Sequence, residues 1–302
     1  MSADHPLFTV VIPVYEGAGV IERSVRSVLA QESTDWELVV VDDGSRDDSA
    51  AVARRTADGD PRVKFVTQPN RGRSGARNAG AAVAAGEYVV FLDADDEVRP
   101  DWLSRMGAAG GPAQAELIHC GGSRLSADGT PPRRVRSVRY GALFAYQFGP
   151  FRSGMFAVRT ARFREVGGFA EDMAYGENYE LGLRLAHAAA DGGWTTVSVD
   201  EPLVIVHYSR PDPAAYDRAR YDAARIMIER HRDKLRGRRG ALSAQYAILG
   251  VNAARIGRRK EAVGALLHAV AADPLRWRNY ARLARVALPG RSRPQSDDDW
   301  SG

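Results

Sequence analysis

The amino-acid sequence predicts an α/β fold built on a mostly parallel sheet with helices on both faces, and three observations carry that prediction. Apolar runs rich in β-branched residues recur through the first third of the chain, at 8–14, 36–41, 63–67 and 88–92. The runs at 8–14, 36–41 and 88–92 are continuous rather than alternating, as expected of strands buried on both faces. Segments with helical spacing lie between them, and a strand–helix alternation of this kind closes into a covered parallel sheet.

The first strand, FTVVIPV, ends at a proline and is followed by helical spacing over 20–30. WELVVV forms the second and runs into Asp42-Asp43-Gly44-Ser45. Residues 47–57 read as a helix, 63–67 as a strand and 74–85 as an alanine-rich helix. The fourth buried strand, YVVFL, runs straight into Asp93-Ala94-Asp95-Asp96. In open α/β sheets ligands bind beyond the carboxyl ends of the strands. Tyr15 and Glu16, Asp42 and Asp43, and Asp93 and Asp95 occupy three such ends, which the pattern directs toward one crevice.

The middle of the chain is less regular. Residues 131–134 (PPRR) read as a loop, 153–159 as a short strand or turn, 179–190 as a helix and 203–207 as a last apolar strand. Beyond Pro211 and Pro213 the composition turns to arginine-rich helical patterns through about residue 286. Residues 262–274 and 277–287 resemble one tetratricopeptide-type helix pair, too short for a solenoid. The expected organisation is a catalytic domain over 1–212, a helical region over 213–288 and a disordered polar tail over 289–302.

Composition bounds the function. With 44% apolar and 26% charged residues, the 302-residue chain is an ordinary globular sequence. The net charge of +4 is too mild to argue for nucleic acid, and none is expected as a partner. Cys120 is the only cysteine, so an intrachain disulfide and a cysteine zinc cluster are both excluded, which fits a reducing cytoplasm. Residues 1–6 lack a signal-peptide core, and no apolar run approaches the roughly 20 residues that span a bilayer. The arginines between Arg218 and Arg259 suit either solvent or peripheral contact with anionic lipid at the inner face of the cell membrane.

The acidic cluster at 93–96 carries the sharpest chemical signal. Crowded carboxylates repel one another unless a cation or hydrogen bonds compensate, and hard oxygen ligands suit magnesium or manganese. Taken alone, the cluster reads equally well as a solvated turn before a helix near Asp101.

Four blocks in order decide the matter: 11–15 (VIPVY), 40–47 (VVDDGSRD), 70–80 (NRG through ARNAG) and 86–96 (GEY through DADD). Together they resemble the inverting family 2 glycosyltransferases of GT-A fold, and a looser likeness continues through 165–169, 176–184 and His207. The resemblance implies a metal-assisted transfer of a sugar from a uridine or thymidine diphosphate donor to an acceptor hydroxyl. That acceptor is a glycan, a lipid-linked sugar or a small molecule. It implies that Pro13, Tyr15, Glu16, Asp43, Arg77 and Asp93 bind the nucleotide, with Tyr15 against the base and Asp43 accepting from its imide. Asp95 and His207 would hold Mn2+ or Mg2+.

The family's catalytic base is the Asp of a Glu-Asp pair before a helix, where this chain has Glu177-Asn178. Asparagine cannot take a proton in that role. Glu177 is the expected base, with Asp172 and Glu180 as alternatives. The rival reading is a catalytically impaired nucleotide-sugar or partner-binding protein of the same fold. A nucleotidyltransferase ranks lower for want of a triphosphate loop, and a dinucleotide-dependent dehydrogenase lower still, because no Gly-x-Gly-x-x-Gly follows Val14.

Overall fold

The computed structural model describes residues 5–126, 133–135, 152–208, 212–236 and 240–288. The chain divides into two compact units, Met1–Ser209 and Arg210–Gly302. The expected tail over 289–302 lies outside the described residues.

The first unit begins β1 (Phe8–Val14), α1 (Ile21–Leu29), β2 (Trp36–Asp42), α2 (Ser49–Ala57), β3 (Val63–Thr67), α3 (Gly72–Ala82) and β4 (Tyr88–Phe91). It continues with β5 (Glu97–Val98), α4 (Trp102–Ala113), β6 (Leu117–Ser126), β7 (Arg133–Val135), β8 (Phe156–Arg159), α5 (Thr160–Glu165), α6 (Glu177–Gly192) and β9 (Thr196–Tyr208). The sheet runs β3-β2-β1-β4-β8-β6-β9-β5, with β7 paired to β6. It is mixed. The pairs among β1 to β4 are parallel, and so is β6 with β9, whereas β8 lies antiparallel to both β4 and β6.

The alternation of side chains along a strand builds the unit. Phe8, Val10, Ile12 and Val14 face one core, shared with Trp36, Leu38, Val40, Tyr88 and Val90. Val11, Val39, Val41, Val89 and Phe91 face the other, shared with Phe163, Phe169, Leu181 and Leu185. Both faces are therefore covered, which explains the unbroken apolar runs. Pro13 sits two residues past the last β1–β4 pair, Val11 with Phe91, so its missing N–H deletes no ladder bond to β4.

Three stretches depart from expectation. Residues 133–135 form β7 instead of a loop, β9 extends well N-terminal of 203, and β6 had no clear pattern. β6 carries Gly121 and Gly122 at a bulge against β9, where an added Cβ at Gly121 would sit 2.8 Å from the Glu201 carbonyl oxygen. Small residues demanded by close backbone approach dilute the apolar signal of a strand.

The second unit holds α7 (Pro213–Arg236), α8 (Ala241–Arg255), α9 (Arg259–Ala272) and α10 (Trp277–Ala287). Buried Asn279 ties α10 to its neighbours, donating to Ser243 Oγ at 2.8 Å and to the Ala269 carbonyl at 3.3 Å. No helix among the described residues is long and apolar enough to cross a membrane.

Candidate functional site

The carboxyl ends of β1, β2 and β4 line one cavity of about 850 Å3. Pro13, Tyr15 and Glu16 enter from β1, Asp43 from β2, and Asp93 and Asp95 from β4. α3 adds Arg73 and Arg77, and the segment before α6 adds Asp172.

Loop-to-loop hydrogen bonds hold the β1 and β2 ends together. Glu16 adopts a left-handed backbone, φ 50°, a conformation that costs a non-glycine residue energy and is retained when its surroundings fix it. Its N–H donates to Ser45 Oγ at 3.1 Å, and its carboxylate accepts from the Arg46 N–H at 2.8 Å. The next residues are tied the same way, Gly17 N–H to Ser49 Oγ at 2.8 Å and Ala18 N–H to Asp47 at 2.9 Å. Tyr15 is thereby set at the rim with 52% of its surface exposed, a flat aromatic face available for stacking. Asp43 is buried and accepts from Gln68 Nε2 at 2.7 Å and the Arg71 N–H at 2.9 Å, which leaves its second oxygen for a ligand.

Arg77 is the hub. Only 1% exposed, it donates to Asp93 at 2.6 Å, Glu177 at 2.9 Å and Ser153 Oγ at 3.0 Å. Burial alone would weaken its charge, but the two carboxylates more than compensate and raise its pKa. The same contacts hold Asp93 below its ordinary value although burial pushes it up. Asp95 shifts the other way, raised by burial and by the charge of Asp93. Asp96, buried beside both, is pushed up to about 8 by desolvation and then by its two acidic neighbours. Side-chain oxygens of Asp93, Asp95 and Asp96 lie within 4.8 Å of one another. Hard oxygen donors at this spacing, two of them costly to ionise together, fit a divalent cation.

Other expected residues have different surroundings. His207 Nε2 lies 2.6 Å from Glu97 Oε1, and its backbone N–H donates to Asp96 at 2.9 Å. The metal-ligand grouping found among the described residues comprises the three aspartates, without this histidine. Glu177 is 3% exposed and turned onto Arg77, with Arg73 at 3.7 Å. Glu180 is equally buried and bound by Arg184 at 2.5 Å. Asn178 Oδ1 is buried without a hydrogen-bond partner among the described residues. Asp172 is exposed and lines the cavity.

Sequence reading missed Ser153, Gln68 and Arg23, whose guanidinium donates to the Asp95 carbonyl. Each is an isolated polar residue on a helix, strand end or turn, and only the fold brings it against a cavity-lining residue, Arg77, Asp43 or Asp95.

Comparison with known proteins bears on this arrangement. The family described as "Glycosyl transferase family 2" matches residues 9–160. The chain is 37% identical over 203 residues to the succinoglycan biosynthesis protein ExoO of Rhizobium meliloti, a match spanning 62% of this chain and 57% of that one. It is 38% identical over 96 residues to the chondroitin synthase of Pasteurella multocida, covering 32% of this chain and 10% of that protein. Among solved structures, Staphylococcus aureus TarS 1–349 in complex with UDP-GlcNAc aligns with a TM-score of 0.61 at 16% identity, over 92% of this chain and 88% of that one. A mannosyltransferase from Pyrobaculum calidifontis, in complex with GDP-Man and Mn2+, aligns with a TM-score of 0.54 at 19% identity, over 89% of this chain and 74% of that one. These likenesses show the fold, GT-A with a C-terminal helical region.

Proposed function

Because the chain belongs to glycosyl transferase family 2, we propose that it transfers a sugar from a nucleoside diphosphate donor to an acceptor hydroxyl, with inversion at the anomeric carbon. The observation that carries this reading is the convergence of Tyr15, Asp43, Arg77, Asp93 and Asp95 on one cavity at the carboxyl ends of three parallel strands. A donor needs an aromatic face for its base, an acceptor for its imide and positive charge near its diphosphate, which Tyr15, Asp43 and the exposed, cavity-lining Arg73 supply. Asp43 can accept from the imide of uracil or thymine, and we read the donor as a uridine or thymidine diphosphate on the family resemblance.

Asp95 and Asp93 would hold a divalent ion, with Asp96 behind them. When bound, that ion neutralises the diphosphate so that it can leave. His207 acts on the cluster through its N–H bond to Asp96 and steadies that carboxylate. In an inverting displacement the acceptor oxygen attacks the anomeric carbon as the bond to the diphosphate breaks, and the hydroxyl proton passes to a carboxylate on the opposite side. Burial and the ion pair with Arg77 leave Glu177 poorly suited to that proton and well suited to holding Arg77. The exposed Asp172 has the access a base requires, and we assign the proton transfer to it.

Calorimetric titration with UDP, TDP and GDP, with and without manganese, tests the donor site. Metal-dependent binding of UDP or TDP that Asp95→Ala abolishes is expected. A folded protein that binds no nucleoside diphosphate would refute the transferase reading. Donor binding with neither sugar transfer nor donor hydrolysis would favour a non-catalytic binder, which Asn178 makes the specific rival.

A further inference from the structure

The turn Gly167-Gly168-Phe169 leads into the segment that brings Asp172 to the cavity, and α3 grips that turn through one side chain. Asn78 Nδ2 donates to the Phe169 carbonyl at 3.0 Å, and Asn78 Oδ1 accepts from the Phe169 N–H at 2.8 Å. A carboxamide that meets both backbone groups of one residue fixes that residue's place and orientation. The approach is close. A Cβ at Gly168 would lie 2.7 Å from Asn78 Oδ1, and Gly168 has φ 67°, so both the space and the left-handed backbone call for glycine. Phe169 is buried, its ring edge-on to Phe91 at 4.9 Å and 5.1 Å from the Arg77 guanidinium.

The grip extends past the turn. Asn78 Nδ2 also donates to Glu171 Oε1 at 3.1 Å, and Arg71, the N-cap of α3, donates to Glu171 Oε2 at 2.7 Å. Both oxygens of this carboxylate are engaged by α3. On the far side of Asp172, Met173 is buried. A stretch pinned at 169, 171 and 173 has few backbone conformations left, and the exposed carboxylate at 172 inherits that order. Arg184 holds the turn from α6 through the Gly168 carbonyl at 2.7 Å, so the turn upstream has support of its own. The residues lining the cavity include Glu171 and Asp172 but not Asn78, so Asn78 acts through the segment it holds.

We propose that Asn78 and Glu171 are positioning residues for the transfer step. They form a clasp between α3 and residues 169–173 that sets the Asp172 carboxylate at the cavity for the incoming acceptor hydroxyl. The inference rests on the reading of Asp172 as the base.

Full-length wild type, Asn78→Ala and Glu171→Ala are to be compared by amide hydrogen exchange, by calorimetric titration with UDP and manganese, and by release of UDP from UDP-glucose and UDP-GlcNAc. Exchange across 170–174 is expected to be at least about tenfold faster in both variants, with β1 to β4 unchanged, because the opening is local. UDP affinity should stay within about twofold while kcat falls about 10- to 100-fold, the effect of a misplaced reacting group. Glu171 is exposed, so its variant keeps the test readable if Asn78→Ala does not fold, and the exchange measurement needs no turnover. Unchanged exchange across 170–174, or acceleration spread equally through β1 to β4, overturns the proposal. So does a loosened segment with wild-type kcat. Asp172→Asn separates the two readings. Should it lower turnover while the clasp variants keep theirs, the clasp fails and the base stands. Should it leave turnover intact, the base assignment fails and takes this proposal with it.

Discussion

Arg77 and Glu177, one hundred positions apart in sequence, form an ion pair of 2.9 Å with side chains only 1% and 4% exposed. The pair joins the helix that follows β3 to the start of α6, and through Arg77 it reaches Asp93 at the end of β4. A buried guanidinium needs counter-charge, and here one of the two carboxylates that provide it, Asp93, lines the cavity. Stability and site geometry are therefore coupled in one cluster.

Removing the cation should expose that coupling. Arg77→Met leaves Glu177 buried with only the more distant Arg73 at 3.7 Å, and a broken buried pair costs about 3–5 kcal/mol. Chemical denaturation should show a loss of this size. Glu177→Gln keeps an acceptor for Arg77 and should cost less. Equal losses from the two substitutions would contradict a charge-based linkage.

The two carboxylates proposed for base and support separate kinetically. Asp172→Asn should lower kcat by about 10²- to 10⁴-fold, the usual contribution of a general base, with donor affinity unchanged. Glu177→Gln should weaken donor binding through Arg77 and lower kcat less. The reverse pattern would return the base to Glu177.

Asp96 makes stability depend on pH. Its carboxyl is pushed up to about 8 in the fold, whereas an unfolded aspartate ionises near 4. Between those values the unfolded chain has released a proton that the folded chain retains, so this residue's contribution to stability falls as pH rises from about 4 to about 8. In thermal melts without metal, Asp96→Asn should gain on wild type across that window, and the difference should level off above it. Manganese, which competes with the proton, should raise Tm more at pH 8 than at pH 5.

Gly86 tests the packing beneath the site. A Cβ there would lie 2.4 Å from the Thr9 backbone nitrogen and 2.7 Å from the Phe8 carbonyl carbon, neither of which can move without disturbing β1. Gly86→Ala should destabilise the protein by about 1–3 kcal/mol, measured by denaturant titration.

Much of this protein was legible before any coordinates. The buried strands β1, β2 and β4 followed from unbroken apolar runs, because a sheet covered on both faces tolerates no polar alternation, whereas β3, at the sheet edge, leaves Lys64 and Thr67 exposed. The convergence of Tyr15, Asp43, Asp93 and Asp95 followed from their places at strand ends, since parallel strands deliver their carboxyl ends to the same edge. β6 was not legible, because glycines required by a bulge erased its apolar run, and neither was the antiparallel course of β8, which depends on pairing with a strand more than sixty residues earlier. Local pattern placed Glu177, Asp172 and His207 near helix or strand ends and said nothing of their partners. Only the tertiary structure decided that Glu177 turns onto Arg77, that His207 turns onto Glu97 and that Asp172 borders the cavity. The physical reason is range. Periodicity records which face of an element is buried, whereas partners and protonation are set by charges that meet only when distant segments pack.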